Sequence, residues 1–191
     1  MDQLEKERQE LVVTRIRPAL IFKRGASSEI KRLFMGQWIP PWVFRSRVAR
    51  LVPETPGLCF QAVHSSDVGD AFSRAVVRKS AGAFNIAAEP VLNTDRLVRA
   101  LGATPLRVPR CVLRGAVEVS HRIGLQPTSP GWVDLALDCP VMSTAKASAK
   151  LDWTPQHTSV EAIQELFVGL RQGAGMLTAP LTPDSASHSY T

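Results

Sequence analysis

Few side chains in this chain are equipped for chemistry, and their spacing restricts what they can do. The 191 residues hold four histidines (His64, His121, His157, His188), three cysteines (Cys59, Cys111, Cys139) and one tyrosine, Tyr190. No Cys-x-x-Cys occurs and no histidine stands at ligand spacing from another or from a cysteine, so no metal site is expected. Three scattered cysteines read as buried thiols in a reducing compartment. Polar groups concentrate at His64-Ser65-Ser66-Asp67. Asp67 invites an acid–base role, but a carboxylate just before Val68 also satisfies the open N–H groups of a helix start, worth about 1 kcal/mol. The cap is the expected role, and His64 reads as a hydrogen-bonded structural histidine. The twelve glycines never form G-x-x-G-x-x-G, and neither G-x-x-x-x-G-K-[ST] nor G-x-S-x-G occurs. No catalytic residue is therefore assigned.

The elements that would position these groups alternate between strand and helix. Residues 2–10 are good helix formers. Leu11 to Arg17 reads as a strand stopped by Pro18, and its near-continuous apolar start suits burial on both faces, as in a parallel sheet. Ser27 or Ser28 can cap a helix through Ile30, Leu33 and Phe34, with Gly36 as its stop. Residues 37–57, with four prolines and two tryptophans, read as an irregular excursion. Leu58–Val63 and Ala83–Ala87 read as strands. Between them a helix carries Val68, Ala71, Phe72, Ala75 and Val76 on one face. Asn93 or Thr94 caps a helix closed by Gly102. Val112, Leu113, Ala116, Val119 and Ile123 mark another helix, residues 125–142 read as loop, and a short helix starts at Ser143 or Thr144. Thr158-Ser159-Val160-Glu161 matches a capping box ahead of the stripe Val160, Ile163, Phe167 and Leu170. From Gly173 the composition turns to Gly, Ser, Thr and Pro. The pattern is α/β, with one domain over residues 1–172 and a flexible tail over 173–191.

Composition excludes several classes. Hydrophobic residues make up 45% and the formal net charge is +6. The lysines and arginines form no block of like charge, so nucleic-acid binding is not expected. No apolar run approaches the roughly 18–20 residues a membrane span needs, and the charged start lacks a signal core. The expected location is the cytoplasm.

Four segments, in order, carry a resemblance. Val13-Thr14-Arg15-Ile16-Arg17-Pro18-Ala19-Leu20-Ile21-Phe22 resembles T-R-x-R-P-[GA]-x-[IV]-[YF]-G. Phe60-Gln61-Ala62-Val63-His64-Ser65-Ser66-Asp67-Val68-Gly69-Asp70-Ala71 resembles F-x-x-V-H-V-x-D-V-A-x-A, and Gly82-Ala83-Phe84-Asn85-Ile86-Ala87 resembles G-x-[YF]-N-[IV]-[GA]. Residues Ser143 to Pro155, ending Leu151-Asp152-Trp153-Thr154-Pro155, resemble D-[TS]-[ST]-K-A-R-x-x-L-G-W-x-P. Together they resemble the C-terminal part of an extended short-chain dehydrogenase/reductase of the NAD-dependent epimerase/dehydratase kind. The resemblance implies a remnant of a Rossmann-type fold, a few parallel strands with a mostly helical substrate-side subdomain. It implies NAD or NADP as cofactor and a small-molecule substrate. By family position Arg17, Pro18 and Ala19 would approach the nicotinamide; read as residues alone, Pro18 ends a strand and Ala19 sits in a tight turn. The family's proton transfer uses Tyr-x-x-x-Lys, and Tyr190 has no lysine four positions on.

Departures sharpen the expectation. The family's nucleotide-sugar branches place an arginine before the His-x-x-Asp segment, where this chain has Leu58-Cys59-Phe60-Gln61-Ala62. Asp152 replaces the glycine of L-G-W, and Lys23 the glycine after Phe22. The chain is expected to be a truncated protein supplying the substrate-side half, inactive alone, with binding of the dinucleotide by this chain doubtful. The alternative is a non-catalytic interaction or regulatory module that reuses the fold remnant. Either would leave a strand edge exposed for association or homo-oligomer formation.

Overall fold

The computed structural model describes residues 11–35, 41–46, 51–176, 178 and 181. The helix expected over 2–10, the stop at Gly36 and most of the tail lie outside the described residues. Among the described residues seven strands and seven helices follow one another. They are β1 (Thr14–Pro18), β2 (Leu20–Phe22), α1 (Ser27–Met35), β3 (Leu51–Glu54), β4 (Cys59–His64), α2 (Ser65–Val77), β5 (Gly82–Ile86), β6 (Ala88–Asn93), α3 (Thr94–Leu101), β7 (Thr104–Arg107), α4 (Arg110–Arg122), α5 (Gly131–Asp138), α6 (Ala145–Leu151) and α7 (Ser159–Gln172). Short 3-10 turns occupy Arg24–Ala26 and Pro41–Arg45.

The strands make three small sheets: β1 parallel to β5, β2 parallel to β4 with β6 antiparallel on its far side, and β3 parallel to β7. Two chain segments change sheets at one level. After Pro18 the N–H of Ala19 still bonds Ile86 O at 2.8 Å, and Leu20 then pairs with Ala62. Opposite it, β5 ends at Ile86 and β6 begins at Ala88.

Side-chain alternation along β4 separates two cores. Ala62 joins Phe22, Leu92, Ile163, Leu166 and Leu170, while Val63 joins Val68, Phe84, Ile86, Leu151 and Trp153. The first core is the face of α7, which the capping box starts as expected: Thr158 Oγ1 accepts from Glu161 N, and Glu161 accepts from Thr158 N at 2.7 Å. Each buried leucine or isoleucine there contributes roughly 1.5–3 kcal/mol. Gly169 sits mid-helix because a Cβ would lie 2.5 Å from Arg24 O and 2.6 Å from Ser27 Oγ. Its lack of a side chain brings the 24–27 turn onto α7.

Several expectations change. Ser27 and Ser28 do not cap α1; both are buried and donate to Ala174 O and Leu181 O, tying the helix start to the segment after α7. Strand β3 falls where an irregular excursion was expected, and β7 in a stretch, 103–107, to which no element was assigned. Pro53 and Pro105, which cannot donate in a ladder, obscured both. Helix α5 lies within the expected loop 125–142, its eight residues hidden between Pro130 and Pro140. The strand expected over 11–17 starts at Thr14, leaving Leu11 and Val12 about half exposed. Among the described residues β1 pairs with β5 alone, so its other edge carries no strand. Cys111 and Cys139 are exposed and Cys59 is partly buried, so the cysteines are not the buried set expected. No described helix is long and apolar enough to cross a membrane.

Candidate functional site

Where the sheets change over, a cavity of about 350 Å³ opens. Parallel strands create this kind of place, since ligands bind beyond their carboxyl ends at a switch in strand order. Pro18, Ala19 and Leu20 form one wall, Phe60 and Gln61 of β4 the floor, and Trp132, Leu135 and Ala136 of α5 the roof. The segment Cys139–Met142 closes the side. Gln61 fixes that segment: its Oε1 accepts from Met142 N at 2.7 Å and its Nε2 donates to Met142 O at 3.1 Å. The β4–β6 ladder shifts register between Phe60 and Ala62, and the consecutive Phe60 and Gln61 both reach the cavity.

Helix α5 has open space on both sides. Behind it, about 230 Å³ lies among Phe34, Leu113, Val117 and Val133, sharing Leu20, Trp132 and Ala136 with the first cavity. The helix is held at its margins. Phe34 meets Trp132 edge to face at 5.1 Å. Arg110 binds Asp138 and Asp134, and Arg114 reaches Asp134 at 3.1 Å. The Arg110 guanidinium holds the Asp138 carboxyl below its usual range. A wider depression at Glu54–Pro56 and Arg107–Pro109 lies at the β3–β7 end, away from the changeover.

Of the residues expected at the cofactor, Pro18 and Ala19 line the cavity. Arg17 is exposed, opposite Asn85 in the β1–β5 register, and is not a lining residue. Asn85 Nδ2 donates to Ser143 O at 3.2 Å, so its backbone partner is 58 residues away rather than a neighbour. Trp132, Leu135 and Met142 were not legible as lining residues because residues 125–142 read as loop, and Gln61 was not because its partner Met142 lies 81 residues on.

Asp67 does not cap α2. His64 takes the cap position, its ring accepting from Ser66 N. Asp67, 1% exposed, reaches instead to the loop before α7. Its Oδ2 accepts from His157 N at 3.0 Å, its carboxylate meets His157 Nδ1 at 3.2 Å, and its backbone O accepts from Trp153 Nε1 at 2.9 Å. The two imidazoles lie 4.3 Å apart, and His64 Nε2 contacts Glu165 at 3.2 Å. These groups join α2, α7 and the 153–157 loop. These side chains tie the segments together through hydrogen bonds. Trp153 is buried. Asp152 stands with φ 54°, the left-handed conformation that a glycine at this position would take freely, and its carboxylate meets Arg78 at 3.1 Å. Among the described residues no cluster of histidine, cysteine, aspartate or glutamate could hold a metal ion.

No family model matches the chain. The uncharacterized protein Rv0501 of Mycobacterium tuberculosis is 27% identical over 169 residues, covering 87% of this chain and 41% of that protein. The uncharacterized protein Mb0513 of Mycobacterium bovis matches equally. Among solved structures, a dTDP-glucose 4,6-dehydratase from Bacillus anthracis in complex with NAD has a TM-score of 0.53 at 14% identity, covering 89% of this chain and 48% of its own. RMD from Pseudomonas aeruginosa, complexed with NADPH, has a TM-score of 0.52 at 12% identity, covering 88% and 51%. A UDP-glucose 4-epimerase from Thermotoga maritima with UDP-glucose has 0.51 at 16% identity, covering 90% and 50%. The chain thus spans about two fifths of its mycobacterial relatives and about half of each solved chain. It is a mixed α/β protein with a few parallel strands, sharing a partial Rossmann-type fold with these epimerases and dehydratases.

Proposed function

We propose that this chain supplies the substrate-side half of an NAD(P)-dependent epimerase/dehydratase-like short-chain dehydrogenase/reductase and has no catalytic activity by itself. The edge of β1 away from β5, which carries no strand among the described residues, carries this reading. Gly82 N bonds Val13 O and Ala19 N bonds Ile86 O, so the odd-numbered backbone groups of β1 face β5. By the alternation of a strand, those of Thr14 and Ile16 face outward, where a further sheet strand would bond them. The same strand delivers Pro18 and Ala19 to the cavity.

The residues present suit only one end of a dinucleotide. Pro18 and Ala19 bring a close backbone turn to where a nicotinamide would lie. No glycine-rich turn leading into a helix occurs in the sequence to receive a pyrophosphate. The chain's own contribution is an apolar wall that excludes water from a small-molecule substrate. Two measurements test the reading. NADH titrated into the isolated chain is expected to show no change in nicotinamide fluorescence, and sedimentation is expected to show concentration-dependent association through the β1 edge. A strictly monomeric chain that binds NADH overturns it.

One observation favours a second reading, a non-catalytic interaction module. Phe72, Val76 and Val77 stand exposed on α2, Val112 and Val119 on α4, and Ile123 just past its end. Apolar surface of this kind marks contact faces. A stable hetero-complex formed without any dinucleotide would favour it.

A further inference from the structure

Taking the changeover cavity as the substrate side, which rests on the reading above, we infer that it binds an uncharged, largely apolar small molecule and not a phosphate-bearing one. Its volume of about 350 Å³ lies within the range of about 300–1,000 Å³ typical of small-molecule sites. Leu20, Phe60, Trp132, Leu135, Val141 and Met142 supply most of its wall. The polar side chains on that wall are already committed or weak. Both ends of the Gln61 amide are taken by the backbone of Met142. The Cys139 thiol, a poor donor, lies 3.8 Å from Pro140 O. The charges of α5 point to another partner: Asp134 and Asp138 pair with Arg110 and Arg114 of α4.

A diphosphate placed against this wall would give up hydration with no cation among the described lining residues to replace it. That cost outweighs the gain from burying a sugar or base. An apolar ligand meets the opposite balance, gaining about 25 cal/mol for each Å² removed from water. The stretch Leu58–Ala62 running into the floor consists of Leu, Cys, Phe, Gln and Ala. It continues the same chemistry.

The test uses the whole chain, the uncharged fluorophore 1-aminoanthracene and UDP-glucose. The fluorophore is expected to bind saturably with a blue-shifted emission, and millimolar UDP-glucose is expected not to displace it. Ala136→Trp fills the cavity and Leu135→Asp places a carboxylate on its wall. Each should weaken binding by about tenfold or more. Val119→Asp, on the exposed apolar stripe of α4, should leave it unchanged and so separates the cavity from unspecific surface binding. Should Ala136→Trp lose its helical circular dichroism, Leu135→Asp decides, since Leu135 is half exposed and tolerates a charge in the folded chain. Absent saturable binding to the unmodified chain, equal affinity in a folded cavity variant, or displacement by UDP-glucose overturns the inference. No dinucleotide enters this assay, so its failure is distinct from that of the NADH and sedimentation measurements.

Discussion

Helices α4 and α7 are nearly equal in length and both carry an apolar stripe at helical spacing, yet their surroundings are opposite. Helix α7 buries Ala162, Ile163, Leu166, Gly169 and Leu170 against the β2–β4–β6 sheet and α1, whereas α4 has no buried residue, and Val112, Val119 and Ile123 are more than half exposed. Periodicity reports which face of a helix is apolar. It does not report what covers that face. The α7 side of the molecule is a finished core, while α4 and the outer face of α2 carry exposed apolar side chains and β1 has one edge without a strand among the described residues.

Substitutions can break or sharpen this contrast. The largest effect is expected at Gly169→Ala, where a methyl group would meet backbone and Ser27 together and cost about 3 kcal/mol or more in urea unfolding. Leu166→Ala should cost about 2–5 kcal/mol through lost burial and a cavity. Val119→Ala on α4 should stay within about 0.5 kcal/mol. If the two helices respond alike, the contrast is wrong. Asp67→Ala strands the N–H of His157 in a nearly closed site and should cost about 1–3 kcal/mol, with the 153–157 loop becoming protease-sensitive.

Smaller effects belong to the start of α7. Thr158→Ala should cost about 1 kcal/mol in thermal melts. Hydrogen bonds from the Thr158 N–H, and then from its hydroxyl, hold the Glu161 carboxyl below its usual range. A carboxylate depressed in the folded state stabilises above the ordinary carboxylate pKa, and that contribution is lost as pH falls through the lowered value. The melting difference between the unmodified chain and Glu161→Gln should therefore be present at neutral pH and vanish in acid. A difference that persists in strong acid would assign the effect to helix propensity. Smallest of all, Asp152→Gly should be near neutral, because relief of the left-handed backbone offsets the lost contact with Arg78.

The sequence by itself determined whatever depends on near neighbours. The capping box at Thr158 and Glu161, a cap at Asn93 or Thr94, the Gly102 stop, the strand before His64 and the helix after it follow from local hydrogen bonding and spacing, and the structure puts the cap at Asn93. Long-range pairing was the tertiary structure's decision. Asp67 looks like a helix cap until the fold brings His157 to it from 90 residues away, leaving the cap to His64. Gln61 becomes the clamp of a cavity only because Met142, 81 residues on, lies beside it. Strands β3 and β7 stabilise each other through a register that neither proline-containing segment announces. A side chain's type sets what bonds it can make; which partner arrives is fixed by the packing of segments far apart in the chain, and single-segment patterns carry no record of it.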